Sequence, residues 1–204
     1  SRGVLYSPDS TLYNRKTVSI KAMTAHEEDI LTSQAFIKEG TVINHLIKSC
    51  VTDKSFNVSD LTLGDRNAIM TGIRVTGYGS DYGVIATCEA CSKTNNVTIN
   101  LSELGINRLK IEPVKPGKNE FEYILPVTKK KVTFKFMTVK DEFDRSTANK
   151  NFSTKLETNI TGYFRYAILS VDGIRDKNKI MHFIKNMPAF DSKSLRAYIR
   201  KNES

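Results

Sequence analysis

Hydrophobic positions along this chain change period several times, and each change marks an element. Thr24-x-x-Glu27 has the form of a capping box and opens an acidic first turn of Glu27, Glu28 and Asp29. The helix it starts is predicted to reach Lys38, with Ile30, Leu31 and Ile37 on its apolar side and Gly40 as its stop. Val42, Ile43, Leu46 and Ile47 recur at helical spacing and predict a second helix over residues 41–50. A third fits residues 63–76, with Asp65 in its first turn and Ile69, Ile73 and Thr76 along one side. Gly77 and Gly79 then turn the chain.

The period next falls to two. Residues 82–87 and 94–101 read as strands, the second with Val97, Ile99 and Leu101 on one face and Thr98 and Asn100 on the other. Residues 102–109 suggest one short helical turn, and 110–119, with Pro113, Pro116 and Gly117, read as a linker. Residues 121–127 and 131–139 form a second strand pair, in which Val132, Phe134 and Phe136 alternate with Thr133 and Lys135. From Lys140 the pattern is helical. Residues 155–171 carry a broad stripe of Leu156, Ile160, Tyr163, Phe164, Ala167, Ile168 and Val171, broken by Asp172 and Gly173. A shorter helix fits 176–186 and ends before Pro188, and Asp191 is expected to cap a last helix over 192–200.

Together these predict an α+β fold, with helical N-terminal and C-terminal parts bracketing two small antiparallel β units, because nothing alternates as βαβ. Three regions follow: an extended, polar and basic arm over residues 1–22, a helical domain with a zinc-ribbon-like β knuckle over 23–110, and a β-hairpin with C-terminal helices over 120–204.

Composition narrows the function. Among 204 residues, 39% are hydrophobic and 26% charged, which is enough to fold a core. Lys+Arg 31 against Asp+Glu 22 gives a net charge of +9, so acidic proteins, nucleic acid and anionic lipid are all electrostatically permitted. Basic residues cluster at 108–118, 129–131 and 193–201, but no aromatics interleave as a base-stacking platform requires. A partner-facing or solvated basic surface is therefore expected, and nucleic acid is not. No stretch approaches the length of a membrane span. Residues 1–10 lack the apolar run of a secretory signal, and three cysteines make no disulfide framework, so synthesis in a reducing compartment is expected.

Catalytic motifs are missing. Gly77, Gly79 and Gly83 are spaced G-x-G-x-x-x-G but precede a strand, whereas a phosphate-binding fingerprint needs a helix N-terminus. His26, His45 and His182 are scattered, and no nucleophile has an evident base, so no enzymatic activity is expected. Cys88-x-x-Cys91, on a turn between strands, has the shape of half a zinc site. Cys50 is a candidate third ligand and His45 a fourth, though their separation on one helix is awkward for a single metal. The competing reading is a pair of reduced cysteines packed in a small core. Candidate interface aromatics are Tyr163, Phe164, Tyr166, Phe183 and Tyr198, each of which also fits plain core.

The central block carries a family resemblance. Glu27 to Leu31 reads E-E-D-I-L, and a helix ending at Cys50 is followed by a tail through Lys54. Leu61 to Ala68 then reads L-x-x-G-D-R-N-A, Ile73 to Tyr82 reads I-R-x-x-x-Y-G-x-x-Y, and Cys88-x-x-Cys91 precedes an alternating strand. In this order the motifs resemble the T4-type phage baseplate hub family over residues 24–104. The resemblance implies a structural or assembly role in the hub of a contractile tail, in a larger hetero-oligomer with other hub proteins and the tape-measure protein as partners. It implies a virion protein made in the bacterial cytoplasm. The alternative is a zinc-ribbon-like nucleic-acid-binding module.

Overall fold

The computed structural model describes residues 1–55, 57–151 and 160–203. Its elements are α1 (Ala25–Thr32), α2 (Gln34–Glu39), α3 (Val42–Cys50), α4 (Leu63–Tyr78), β1 (Asp81–Thr87), β2 (Thr94–Asn100), β3 (Phe121–Ile124), β4 (Lys131–Phe134), α5 (Val139–Asn151), α6 (Ile160–Ala167), β5 (Ile168–Val171), α7 (Lys177–Asn186) and α8 (Ala189–Asn202). This is the expected α+β layout. The chain divides into two compact units, the first comprising Ser1–Thr17, Ser55–Arg66 and Asn107–Ser204, the second Val18–Lys54 and Asn67–Ile106.

The second unit is organised by one carboxylate. The Thr24–Glu27 capping box forms, with Glu27 Oε2 accepting from the Thr24 N–H at 2.8 Å and from its hydroxyl at 2.6 Å. Glu27 is also fully buried. Its other oxygen, Oε1, accepts from Lys21 Nζ at 2.7 Å and from Ser49 Oγ of α3 at 2.6 Å. A residue expected to serve only a helix end therefore also joins α1 to α3. The long helix predicted from Thr24 to Lys38 is broken at Ser33, whose ψ of 110° interrupts the helical run. The chain resumes as α2 and ends at Gly40, whose φ of 75° is left-handed and suits glycine. Leu46, Ile47 and Cys50 of α3, with Val51 and with Ile73 of α4, are the buried apolar residues of this unit. Ile20 bridges to Val51, laying the preceding segment alongside.

The first unit is built on a three-stranded antiparallel sheet, ordered β3-β4-β5. Phe121, Phe134, Phe136, Phe164, Leu125, Leu195 and Ile199 form the centre of its core. The sequence pattern missed β5. It extended one helix through Val171, whereas α6 stops at Ala167 and residues 168–171 pair with β4, Val132 opposite Val171 and Thr133 opposite Ser170. A short apolar run fits either period. Here the unpaired edge of β4 decides: Ser170 Oγ donates to Thr133 Oγ1 at 2.8 Å, and the Lys131 N–H reaches Asp172 Oδ1 at 2.9 Å. Residues 155–159 of that predicted helix lie outside the described residues.

Other expectations also give way. Residues 1–17 are no extended arm: Leu5, Tyr6 and Leu12 are buried, and Leu5 joins the sheet core. Gly3 has a φ of 76°, and a Cβ there would collide with the Arg15 nitrogen and the Leu12 carbonyl oxygen. Tyr6 Oη donates to Asp65 Oδ2 at 2.6 Å and accepts from the Thr62 N–H at 3.2 Å. Residues 110–119 are no free linker, because Leu109 and Ile111 pack on the same core and the Gly117 N–H bonds to the Val4 carbonyl at 3.1 Å. The helical turn foreseen over 102–109 is a brief 3-10 turn at Leu101–Glu103. Asp191 does not cap the last helix, which begins earlier, at Ala189. Its buried carboxylate accepts from the Val127 N–H at 2.7 Å, the Thr128 N–H at 3.0 Å and the Thr128 hydroxyl at 2.8 Å. It thus satisfies the backbone of the β3–β4 turn from α8. Burial would raise its pKa, but these hydrogen bonds outweigh that and hold it below the usual value.

Two stability predictions follow from the buried carboxylates. Replacing Asp191 with Ala strands two backbone donors and is expected to cost the first unit about 2–3 kcal/mol in urea unfolding. Lys21 foremost, then Ser49 and Thr24, hold the Glu27 carboxyl well below its ordinary value of 4.5. A depressed carboxyl contributes stability that is present above about pH 4.5 and fades as pH falls below it. Glu27→Gln is therefore expected to destabilise the protein at pH 7 by about 2 kcal/mol and to flatten the acid limb of its stability curve. Urea midpoints at pH 4 and pH 7 for both proteins check this; equal losses at the two pH values would contradict it.

Candidate functional site

The β1–β2 hairpin follows directly from α4. Arg74 of α4 fixes its root: the guanidinium donates to the Gly79 carbonyl at 2.9 Å and the Asp81 carbonyl at 3.3 Å, and lies over the Tyr78 and Tyr82 rings at 5.1 and 5.6 Å. Tyr82 stands opposite Ile99 and Val84 opposite Val97, so one face of the ribbon is apolar on both strands. Almost every residue of both strands is nevertheless exposed. On the other face Ile85 is 75% exposed.

The tip is the Cys88–Lys93 turn. The Cys88 N–H bonds to the Lys93 carbonyl at 2.9 Å and the Ser92 N–H to the Cys88 carbonyl at 2.8 Å, with Ser92 left-handed at φ 56°. Cys91 is exposed and Cys88 partly so. The backbone N–H groups of Cys91 and Ala90, and then the Cys91 side chain, hydrogen-bond the Cys88 sulfur and lower its pKa. Cys50 is the opposite case. It is buried in α3, and burial followed by the Glu27 charge pushes its thiol up. His45 stacks on Phe36 with ring centroids 4.0 Å apart. Among the described residues no group of three or more His, Cys, Asp or Glu is placed to hold a metal. The expected set of Cys88, Cys91, Cys50 and His45 therefore does not assemble within one chain, since a buried helical thiol and a stacked imidazole stand apart from an exposed turn.

The aromatic candidates also sort differently. Phe164 is core. Tyr163, Phe183 and Tyr198 are half-buried against that core, Tyr198 with its ring 4.5 Å from Tyr123 and edge-on to Phe134 at 6.0 Å. Tyr166 is half-buried. Burial, then Glu203, pushes the Tyr163 hydroxyl up to about 12. The most exposed apolar side chains described in the first unit lie elsewhere: Ile124 is 64% exposed, Val127 52% and Phe190 61%. The Asp191–Val127 hydrogen bond brings the first turn of α8, with Phe190, to the β3–β4 turn. The sequence signal was weak, since Ile124 and Val127 read as strand interior and Phe190 preceded the helix expected there.

Charge is unevenly divided. The first unit carries 25 Lys+Arg against 14 Asp+Glu, net +11; the second carries 6 against 8, net −2. Part of the basic cluster is paired, with Lys130 at 2.7 Å from Asp172 and Lys131 at 2.7 Å from Glu122. No helix among the described residues is long and apolar enough to cross a membrane.

Bare apolar ribbon, exposed aromatic and lopsided charge describe a class: a small α+β subunit that presents surfaces to other chains. The family model described as T4 bacteriophage base plate protein matches residues 10–119, more than half of the sequence, and the chain belongs to that family. It is thus a structural component of the phage tail that associates with other base plate proteins. No curated protein and no solved structure matches it.

The thiols supply a check on this geometry. At pH 7.5 iodoacetamide is expected to label Cys88 at least tenfold faster than Cys50, which should react only as the second unit opens. Peptide mass spectrometry over a labelling time course measures both rates; equal rates would contradict the placement of Cys50.

Proposed function

We propose that this base plate protein serves at the hub of a contractile tail, as a hub subunit or as a factor that builds the hub. It works through protein–protein interfaces and catalyses no reaction. The observation that carries the hub reading is the ordered motif series from Glu27 to Cys91, which resembles hub proteins and lies within the span matched by the base plate family. Supporting it is the exposed Ile124, Val127 and Phe190 patch in a unit of net charge +11. Apolar side chains of this kind supply burial at an interface, and the surrounding charge steers the subunit toward acidic partner faces. Synthesis takes place in the host cytoplasm, and the partners are other hub proteins and the tape-measure protein.

Pull-down of the tagged full-length chain from phage-infected cells tests the assignment. Hub and tape-measure proteins are expected in the eluate; recovery of peripheral base plate proteins alone would overturn the hub reading. Phe190→Asp is expected to reduce co-purifying base plate protein at least tenfold while leaving the urea midpoint unchanged, because the ring contributes little to its own unit's core. Undiminished co-purification would remove this patch from the interface.

A further inference from the structure

The β1–β2 ribbon presents two sulfur ligands at its tip. Cys88 and Cys91 flank a tight turn whose backbone is closed by the Cys88–Lys93 and Cys88–Ser92 hydrogen bonds. A structural zinc site takes four ligands in a tetrahedron, and two cysteines two residues apart supply one edge of it. Among the described residues nothing supplies the opposite edge. A second copy of the same tip would, and a two-fold axis through the metal makes the two halves equivalent.

We propose that two copies of this chain join tip to tip through one zinc ion held by Cys88 and Cys91 of each. Three features of the ribbon fit a self-association. The tip is exposed, so two copies meet there without either unfolding. Between Tyr82 and Asn100 the only charged residues are Glu89 and Lys93, so the ends do not repel, and Glu89 of one copy can face Lys93 of the other. Behind the tip the apolar side chains of Tyr82, Val97 and Ile99 are exposed and Val84 is half-buried, where a second ribbon can shield them. On binding, each thiol releases its proton to solvent as its sulfur takes a coordination position, so uptake falls as pH drops. This inference concerns the second unit alone and does not depend on the hub assignment.

The experiment uses the full chain, reduced and stripped of metal, titrated with Co²⁺ and then Zn²⁺ while mass is followed by light scattering. The expected result is one ion per two chains, an absorption spectrum of tetrahedral cobalt bound by four thiolates, and a monomer-to-dimer shift reversed by chelator. Cys88→Ser with Cys91→Ser should abolish both uptake and dimer, while Cys50→Ser should leave both unchanged. Uptake of one ion per chain by a monomer, no uptake at all, dimers that ignore chelator, or loss of binding in Cys50→Ser would each overturn the proposal.

Discussion

Two antiparallel strands do not hold themselves together in water; they need a third strand, or a layer that covers one apolar face. This chain contains two such pairs and treats them oppositely. The β3–β4 pair receives β5 on the free edge of β4, and Phe121, Phe134 and Phe164 then close a core with Leu195 and Ile199. Among the described residues no third strand joins the β1–β2 pair, and Tyr82, Val97 and Ile99 stay exposed with Val84 half-buried, although they give it an apolar face as regular as that of the other pair. Much of what the molecule does follows from this difference. One ribbon completes a fold, and the other keeps most of its residues exposed.

Buried carboxylates take over joints that apolar packing leaves unsatisfied. Glu27 receives four hydrogen bonds from three positions spread over Lys21 to Ser49, and Asp191 receives three from the β3–β4 turn. A buried charge is costly unless its lone pairs are filled, and here they are filled by groups that would otherwise be orphaned themselves. Asp141 repeats the device at the start of α5, accepting from the Thr138 N–H and hydroxyl at 3.0 and 2.9 Å and from Lys135 Nζ at 2.7 Å. These groups sit in first turns of helices, so the helix dipole favours their negative charge as well.

The sequence disclosed what local physics governs. The Thr24–Glu27 capping box, the Gly40 stop, the helix over 42–50 and the strand pair flanking Cys88 and Cys91 each depend on neighbours a few residues away. The motif order from Glu27 to Cys91 was enough to indicate the family. What stayed hidden depends on distant partners. Residues 168–171 become a strand only because β4 offers an edge. Asp191 leaves its own helix end to serve a turn more than sixty residues away. Leu5 and Leu12 bury a segment that reads as polar. Of the supposed metal set, the Cys88–Cys91 half was visible because a turn makes it. The spacing of His45 and Cys50 on one helix already sat awkwardly with a single metal, and the fold shows Cys50 facing the interior and His45 stacked on Phe36.

Charge separation links fold to assembly. A net charge of +9 spread evenly would make every face moderately repulsive to a second copy. Instead the first unit holds +11 and the second −2, so the uncovered ribbon belongs to the unit with almost no self-repulsion. At physiological salt the field of the basic unit fades over about 8 Å, which is enough to orient an approaching acidic subunit. A base plate subunit that associates with other base plate proteins gains from such a division: electrostatic steering acts through the basic unit, while geometry and apolar contact select partners through the other.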